Sequence, residues 1–426
     1  MSTEVSYTSD FRPLDEAHAN RLSRNQRLLA IIMFAFLATA LSRALSGEHD
    51  LTSSFTVSQA VISTLPILMA GLGGLLSERA GVVNIGLEGM MILGTWGAGF
   101  FGYHYGPWGA LIGAAFCGGL AGLLHAVVVV RFGVDHVVSG VAINLLAFGW
   151  ARFLAAALFK GRGSGSETNS PGFDVSKNMP TLRFPGMGAG GPFATLENKH
   201  WPIISDFAGI TRGLLGAWPL YRLIALAMLP LVGWLVWRTK FGLRLRSSGE
   251  KPSAADSLGV RVGLIRYLAV SASGALAGLG GALLVLNNSG SYVEGQTNSK
   301  GYLGLASLIF GNWRPLGVLG GASLFGFLDT IQLTAEPAVI GLYLLIAMGA
   351  AFGAWRMFRN GKRSTALALL GLAGGLGVLF VIRWKLNTDL IKGLPYFGTL
   401  VVLAVFSRRM RPPASAGQPW RKGQIT

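Results

Sequence analysis

Apolar runs of membrane-spanning length alternate with short polar links along most of this chain. After a polar stretch over residues 1–26, runs occur at about 28–45, 55–76, 82–103, 107–130 and 136–159. A polar interval rich in Gly, Ser, Pro and Asn follows at 160–217. Runs resume at about 219–237, 265–286, 302–333, 337–355, 364–382 and 394–406. A bilayer core about 30 Å thick takes about 20 apolar residues in a helix, so the pattern predicts membrane crossings. The 302–333 run is interrupted at "GNWRPLG" (Gly311–Gly317) and reads as two short crossings around a turn. The expected fold is an all-α polytopic membrane protein with about ten to twelve transmembrane helices, some of them broken or re-entrant.

Composition agrees with the pattern. Of 426 residues, 51% are hydrophobic and 13% charged, with a mean hydropathy of +0.50. Soluble domains carry about 25% charged residues. The 61 glycines follow no Gly-X-Y period, so they suit close helix packing and broken helices. Small-xxx-small pairs stand at Gly118/Gly122, Gly274/Gly278, Gly317/Gly321 and Gly371/Gly375. The net charge of +17 comes from Lys and Arg between apolar runs, which reads as cytoplasmic flanks rather than a nucleic-acid surface. Arg21, Arg24 and Arg27, then Arg238, Lys240, Arg244 and Arg246, then Arg356, Arg359, Lys362 and Arg363, and finally Arg408, Arg409 and Arg411 mark inside segments. This places both termini in the cytoplasm and 160–217 outside; Arg383, Lys385 and Lys392 run against the trend. The first run, about 28–45, fits a retained helix better than a cleaved signal peptide. The expected organisation is a cytoplasmic tail over 1–26, a membrane domain over 27–407 and a basic cytoplasmic tail over 408–426.

Several chemistries are disfavoured. Cys117 stands alone, so no disulfide forms within the chain and no paired-cysteine metal site exists. The histidines are scattered, which gives no metal cluster. "GMGAGG" (Gly186–Gly191) fits a dinucleotide fingerprint but is expected in a Pro-rich loop without a strand before it or a helix after it. "NGKRST" (Asn360–Thr365) lacks the first glycine of a phosphate loop. No acid, base and nucleophile constellation suggests an enzyme.

Polar groups inside apolar stretches carry more information, because ionisable residues at membrane depth face a cavity, a partner or an interface. Glu88 follows Asn84 by one helical turn, so both could line one face. The glycine-rich backbone before them predicts a helix break, tolerated only where it is buried in protein or lines a water-filled cavity. Ser77-Glu78-Arg79 reads as a cytoplasmic turn with its charges paired or solvated. Asn144 and Asp329 are further buried polar candidates, for which helix-to-helix hydrogen bonding is the alternative role.

The most organised polar stretch is "WRTKFGLRLRSSGEKPSAADSLGVRVGLIRYLAVSASGALAGLGGALL" (Trp237–Leu284). Phe241-Gly242 and Gly249–Pro252 predict turns. Ser253 can cap a short helix ending near Gly259. Such a helix is either a solvated connector or a knob for a cytoplasmic partner.

Together, "SERAGVVNIGLEGMMILG", "GEKPSAADSLGVRVGLIRYLAVSASGALAGLGGA" and "GYLGLASLIFGNWRPLG" resemble the permease subunits of bacterial ABC importers. The likeness is to the general nucleoside/simple-sugar permeases, relatives of the ribose and branched-chain amino acid permeases. The ending "LPYFGTLVVLAVFSRRMRPPASAGQPWRKG" is similar to that of one nucleoside permease subunit. The likeness covers roughly 55–160, 219–335 and 393–423. It implies a type II ABC importer permease fold in the bacterial cytoplasmic membrane, paired with a paralogous permease or with itself. It also implies ATP and Mg on separate ATPase subunits, no cofactor on this chain, and a periplasmic or lipid-anchored binding protein. The translocation path would include Asn84, Gly86, Glu88, Gly89, Asn144, Gly311, Asn312 and Trp313. The coupling helix, within 238–264, would be Ser253, Ala254, Ala255, Asp256, Ser257, Leu258 and Gly259. A long outside loop (160–217) and an expected insertion (340–392) depart from the group. Nucleosides are the expected substrate, with simple sugars as the alternative. An ion-coupled transporter or channel would have to use Glu88 and Asp329 as ion ligands.

Overall fold

The computed structural model describes the chain from 33 to 420, apart from 34–35, 43–44, 46, 48–49, 178, 289, 335, 386, 388–389, 392 and 407–409. The polar stretch 1–26, half of the first apolar run and the last residues of the basic tail lie outside the described residues. The described parts divide into two compact units, 48–340 with 383–426, and 1–47 with 341–382.

The elements of the chain, in order, are α1 (Ser54–Arg79), α2 (Leu87–Ala126) and α3 (His136–Leu158). The 160–217 interval holds β1 (Thr181–Arg183), α4 (Pro192–Asn198) and α5 (Ile204–Leu215). Then come β2 (Ala217–Pro219), α6 (Leu220–Arg238), α7 (Lys240–Glu250), α8 (Pro252–Ser257) and α9 (Val262–Asn287). The last are α10 (Lys300–Phe310), α11 (Pro315–Thr334), α12 (Glu336–Arg359), α13 (Arg363–Val381) and α14 (Leu394–Phe406). Among the described residues, seven helical segments are long and apolar enough to cross a membrane. The chain is an all-α polytopic membrane protein apart from the two-stranded antiparallel ribbon of β1 and β2.

One of the seven segments, Leu87–Arg131, has 45 residues. Straight, it would run about 67 Å, twice the thickness of a bilayer core. It is not straight. Gly106 sits at φ +71°, a left-handed conformation open to glycine, and Pro107 follows with no N–H to bond backward. The two arms fold against each other: a Cβ on Gly97 would meet Gly113 and Cys117, and one on Gly113 would meet Phe101. These pairings have nearly constant index sums, the signature of an antiparallel hairpin, and they restore the two separate runs at 82–103 and 107–130.

Helix α1 lies at the centre of the larger unit, with Ile67, Leu68, Leu72 and Leu75 fully buried. It packs on α9, α10 and α11. Ser53 starts it, its Oγ accepting from the Thr56 N–H at 3.2 Å. Lipid-exposed helices gain little by the hydrophobic effect when they associate, so backbone approach and dispersion decide the packing. Here Gly118 and Gly122 of α2 face Gly278 and Gly274 of α9, in reversed order. Gly94, on the other arm of α2, also meets Gly278, so α9 is gripped by both arms. Two of the small-residue pairs seen in the sequence therefore pack on one another, whereas Gly371 and Gly375 have nothing within 4 Å of an added Cβ.

The structure corrects several sequence expectations. Ser77, Glu78 and Arg79 form the last turn of helix α1 rather than a turn between helices; Ser77 and Glu78 are buried, and the two charges are paired rather than solvated. Phe241-Gly242 lies inside the first turn of α7, because Thr239 Oγ1 accepts from the Gly242 N–H and caps the helix there. The 160–217 segment is not an open loop: α5 packs on α1, and Arg212 of α5 pairs with Glu197 of α4 at 2.8 Å. "GMGAGG" does have a strand before it and a helix after it, β1 and α4. That strand is one edge of an antiparallel ribbon, not part of a βαβ unit, so the dinucleotide context is still missing.

In the smaller unit, Ser42 Oγ donates to the Gly341 carbonyl at 2.6 Å. Arg359 lies over the Trp355 ring, 5.2 Å from its centroid.

Candidate functional site

The broken backbone between α1 and α2 carries buried polar side chains of the larger unit, Asn84 and Glu88. Helix α2 begins only at Leu87, so Asn84 lies in the preceding link and not one turn below Glu88 on the same helix face. The helical spacing argument for this pair therefore fails, and the two side chains serve different neighbours. Asn84 Nδ2 donates to Ser273 Oγ of α9 at 3.0 Å, while its Oδ1 is buried without a partner among the described residues. Glu88 Oε2 accepts from the Gly301 N–H of α10 at 2.7 Å.

That last bond has a clear cause. Ser299, at the start of α10, is left-handed (φ +62°) and provides no side-chain cap. The first N–H groups of a helix need acceptors, and a carboxylate there also meets the positive end of the helix dipole. Glu88 supplies both from another helix. A Cβ on Gly301 would come within 2.6 Å of Glu88 Cα, so only glycine lets the two backbones approach so closely.

Asn144 of α3 joins the same cluster. Its Oδ1 accepts from the Gly89 N–H at 2.7 Å, and its Nδ2 donates to the Ile85 carbonyl and to Tyr302 Oη. Gly86 lies against Gly140 of α3. Gly89 and Asn144 with Tyr302, and Glu88 with Gly301, thus form a polar knot of hydrogen bonds among α2, α3 and α10, and Gly86 packs against its edge.

One cavity opens beside this knot, and a second adjoins the first through Gln296 and Asn298. The first, about 210 Å³, is lined by Glu88, Thr95, Phe148, Tyr292 and residues 294–299. The second, about 310 Å³, is lined by Gln59, Asn287, Lys300, Asp329 and Gln332, among others. Lys300 and Asp329 form a buried ion pair at 3.1 Å at its edge. Gln296 and Asn298 line both cavities. Sequence reading missed residues 294–299, since a short Gly- and Asn-containing link between two apolar runs looks like any connector. The only available signal was the polar run "EGQTNSK" immediately before the broken 302–333 segment.

Gly311, Asn312 and Trp313 do not join this knot. They form the turn at the other end of α10, roughly 16 Å along that helix. There Trp313 Nε1 donates to Glu78 Oε2, and the Arg79 guanidinium donates to the Trp313 carbonyl. Arg79 also lies 3.7 Å from Glu250 at the end of α7. The predicted coupling segment follows directly. Helix α8 starts at Pro252 with Lys251 in the capping position, so Ser253 is inside the helix and not its cap. Gly259, at φ +80°, turns the chain out of α8. Leu258 beside it is 85% exposed, a large apolar side chain presented on a polar link.

The C-terminal tail straps this end. The Arg411 N–H donates to Asn312 Oδ1, the Ser415 N–H to the Gly249 carbonyl, and the Gly417 N–H to the Gly81 carbonyl. Arg266, buried in α9, donates to the Gln418 carbonyl at 3.3 Å.

Comparison with known proteins fits this architecture. The family described as branched-chain amino acid transport system / permease component matches residues 56–349. The guanosine ABC transporter permease protein NupQ of Bacillus subtilis is 32% identical over 309 residues, 69% of this chain and 88% of its own. The nucleoside ABC transporter permease protein NupC of Lactococcus lactis is 32% identical over 290 residues, 66% of this chain and 83% of its own. A putative glucose ABC transporter permease protein, TsgC13 of Haloferax volcanii, is 35% identical over 283 residues, 65% of this chain and 76% of its own. No solved structure matches the chain. A multi-pass helical protein whose helices break around a polar knot, matched over most of its membrane core, belongs to the branched-chain amino acid transport system / permease component family.

Proposed function

We propose that this chain is the transmembrane permease subunit of an ATP-driven importer and forms the path for nucleosides. The observation that carries the reading is its 32% identity to two relatives named as guanosine and nucleoside ABC permeases, each covered over more than four fifths of its length. The polar knot and the two cavities support it, because a path through the bilayer needs polar surface at a helix break. Glu88 caps α10 and Asp329 pairs with Lys300, so neither carboxylate is poised as an open ion ligand, which disfavours ion coupling. A sugar substrate is the second reading, favoured by the relative named as a glucose permease.

The same reading supplies partners. Separate ATPase subunits bind ATP and Mg and dock on Ser253–Gly259, with Leu258 as the knob. This chain itself binds no cofactor. A paralogous permease completes the path, since relatives of this chain include NupB beside NupC in Lactococcus lactis and NupP beside NupQ in Bacillus subtilis. A periplasmic or lipid-anchored protein delivers substrate to the 160–217 side, and both termini lie in the cytoplasm of an inner-membrane complex. Uptake of labelled guanosine, uridine, ribose and glucose by cells with and without the gene tests the reading. Nucleoside uptake that disappears with the gene, and survives collapse of the ion gradient while ATP is maintained, is the expected result. Loss of glucose uptake alone would shift the substrate to sugar.

A further inference from the structure

Gln296 is held in place between the two cavities. Tyr292, just before it, is buried, and its N–H donates to Ser170 Oγ at 2.9 Å. Val293 bridges Asn169 of the 160–217 segment. Beyond it the link turns through Gly295 (φ +78°), Asn298 (φ +43°) and Ser299 (φ +62°) into α10. Left-handed non-glycine residues are costly, and here two stand in a row.

Both polar atoms of the Gln296 amide are buried, and neither has a hydrogen-bond partner among the described residues. Buried polar groups in native proteins are almost always paired, so an orphaned amide demands a reason. Its surroundings supply one. The first cavity offers the aromatic surfaces of Phe148 and Tyr292. Glu88, Thr95, Glu294 and Asn298 add polar atoms around it. An amide presents a donor and an acceptor side by side, the complement of a nucleobase edge that carries an acceptor next to an N–H donor. Aromatic faces are what a base stacks on.

We infer that the first cavity is the base subsite of the path and that Gln296 is the residue that reads the base. The ligand class is a nucleobase with an adjacent N–H and acceptor on one edge, such as the lactam edge of guanine or uracil. This inference rests on the nucleoside reading and names a recognition group within it.

The test uses the source cells with the chromosomal gene deleted and restored as wild type or as Gln296→Met. Methionine fills a similar volume with no amide. Removing an amide that has no protein partner leaves the fold intact, so the melting temperature of the purified variant stays equal to or above that of wild type. Guanosine uptake by Gln296→Met falls at least tenfold at equal abundance in the membrane. Uptake that persists in the variant overturns the inference and leaves the nucleoside reading standing. A variant that melts lower or fails to reach the membrane also overturns it, because the amide then serves the fold. Wild-type cells that take up glucose but no nucleoside would remove both.

Discussion

Trp313 Nε1 donates to Glu78 Oε2 at 2.6 Å, joining two residues that stand 235 positions apart in the chain. Both side chains are buried, and Arg79 closes the contact by donating to the Trp313 carbonyl at 2.8 Å. The end of α1 is thereby tied to the turn between α10 and α11. Replacing Glu78 by Leu leaves the indole N–H buried and unpaired, at a cost of about 1–3 kcal/mol. Melting of the detergent-purified protein should drop for Glu78→Leu. The double variant Glu78→Leu/Trp313→Phe should recover part of the loss, because it removes both partners together. Strict additivity of the two single changes would show that the bond carries no coupling.

Glu88 stabilises the start of α10 from another helix, an arrangement whose loss resembles loss of an N-cap. Glu88→Ala should cost about 0.5–2 kcal/mol, while Glu88→Gln, which keeps a carbonyl oxygen for the Gly301 N–H, should cost less. Hydrogen exchange at the first turn of α10 is the direct measurement. Equal protection in wild type and Glu88→Ala would reassign the residue to lining the first cavity alone.

How far the sequence reached depends on what each feature rests on. Crossings were legible because an apolar run of bilayer length has few other uses, and the hairpin at Gly106-Pro107 was visible as a gap between two such runs. Spacing of small residues foretold that Gly118/Gly122 and Gly274/Gly278 would pack, though not that they pack on each other. Asn84 and Glu88 were singled out correctly as buried polar groups, but helical spacing gave a wrong account of them, since the helix starts only at Leu87. Glu78 and Arg79 were left as either paired or solvated because their partners, Trp313 and Glu250, lie far away in the chain; the structure shows them paired. Gln296 was invisible for the same reason: its place between two cavities exists only after α1, α2, α3, α9, α10 and α11 have assembled.

The contact between α2 and α9 leaves no room for a side chain. A Cβ on Gly278 would collide with the Ala114 carbonyl and come within 3.1 Å of Gly118 Cα, both backbone atoms that cannot rotate away. Gly278→Ala should therefore destabilise by about 1–3 kcal/mol, the usual cost of overpacking. Gly371→Ala on α13, where an added Cβ meets nothing within 4 Å, should be near neutral in the same melting assay. Similar losses for both variants would mean that the close approach is not what the glycine at 278 provides.

Acid should loosen the 160–217 segment through Glu197. Burial pushes the Glu197 carboxyl upward, but the Ser54 N–H and the Arg212 guanidinium hold its charged form and leave it below the ordinary carboxylate value. A carboxyl depressed by folding stabilises the fold above its unfolded pKa, about 4.3, and that contribution is lost as pH falls through the lower folded value. Protease sensitivity of α4 and α5 in membrane vesicles should rise as pH drops below about 4, and Glu197→Gln should show the raised sensitivity already at neutral pH. A wild-type profile unchanged down to pH 3 would remove Glu197 as the latch.

Force applied at α8 has a short route into the membrane core. Leu258 is exposed at the end of α8, and α8 follows α7, whose last residue, Glu250, faces Arg79. Arg79 holds the Trp313 turn, and that turn ends α10, whose other end carries the Glu88 cap and borders both cavities. The tail at Arg411–Gln418 binds Asn312, Gly249 and Gly81, so it ties α7 and the two turns together. Rigid-body motion of such a block is a recognised way to pass a small displacement on. Leu258→Asp puts a charge where an ATPase groove would bury an apolar side chain, and at a position 85% exposed it removes little packing from the fold. Uptake should fall at least tenfold while membrane abundance and melting temperature stay at wild-type values. Copurification of the ATPase should weaken in parallel. If instead the variant transports normally, and deletion of Ala254–Gly259 does so as well, the docking role of α8 is lost and the link through Arg79 has no input to carry.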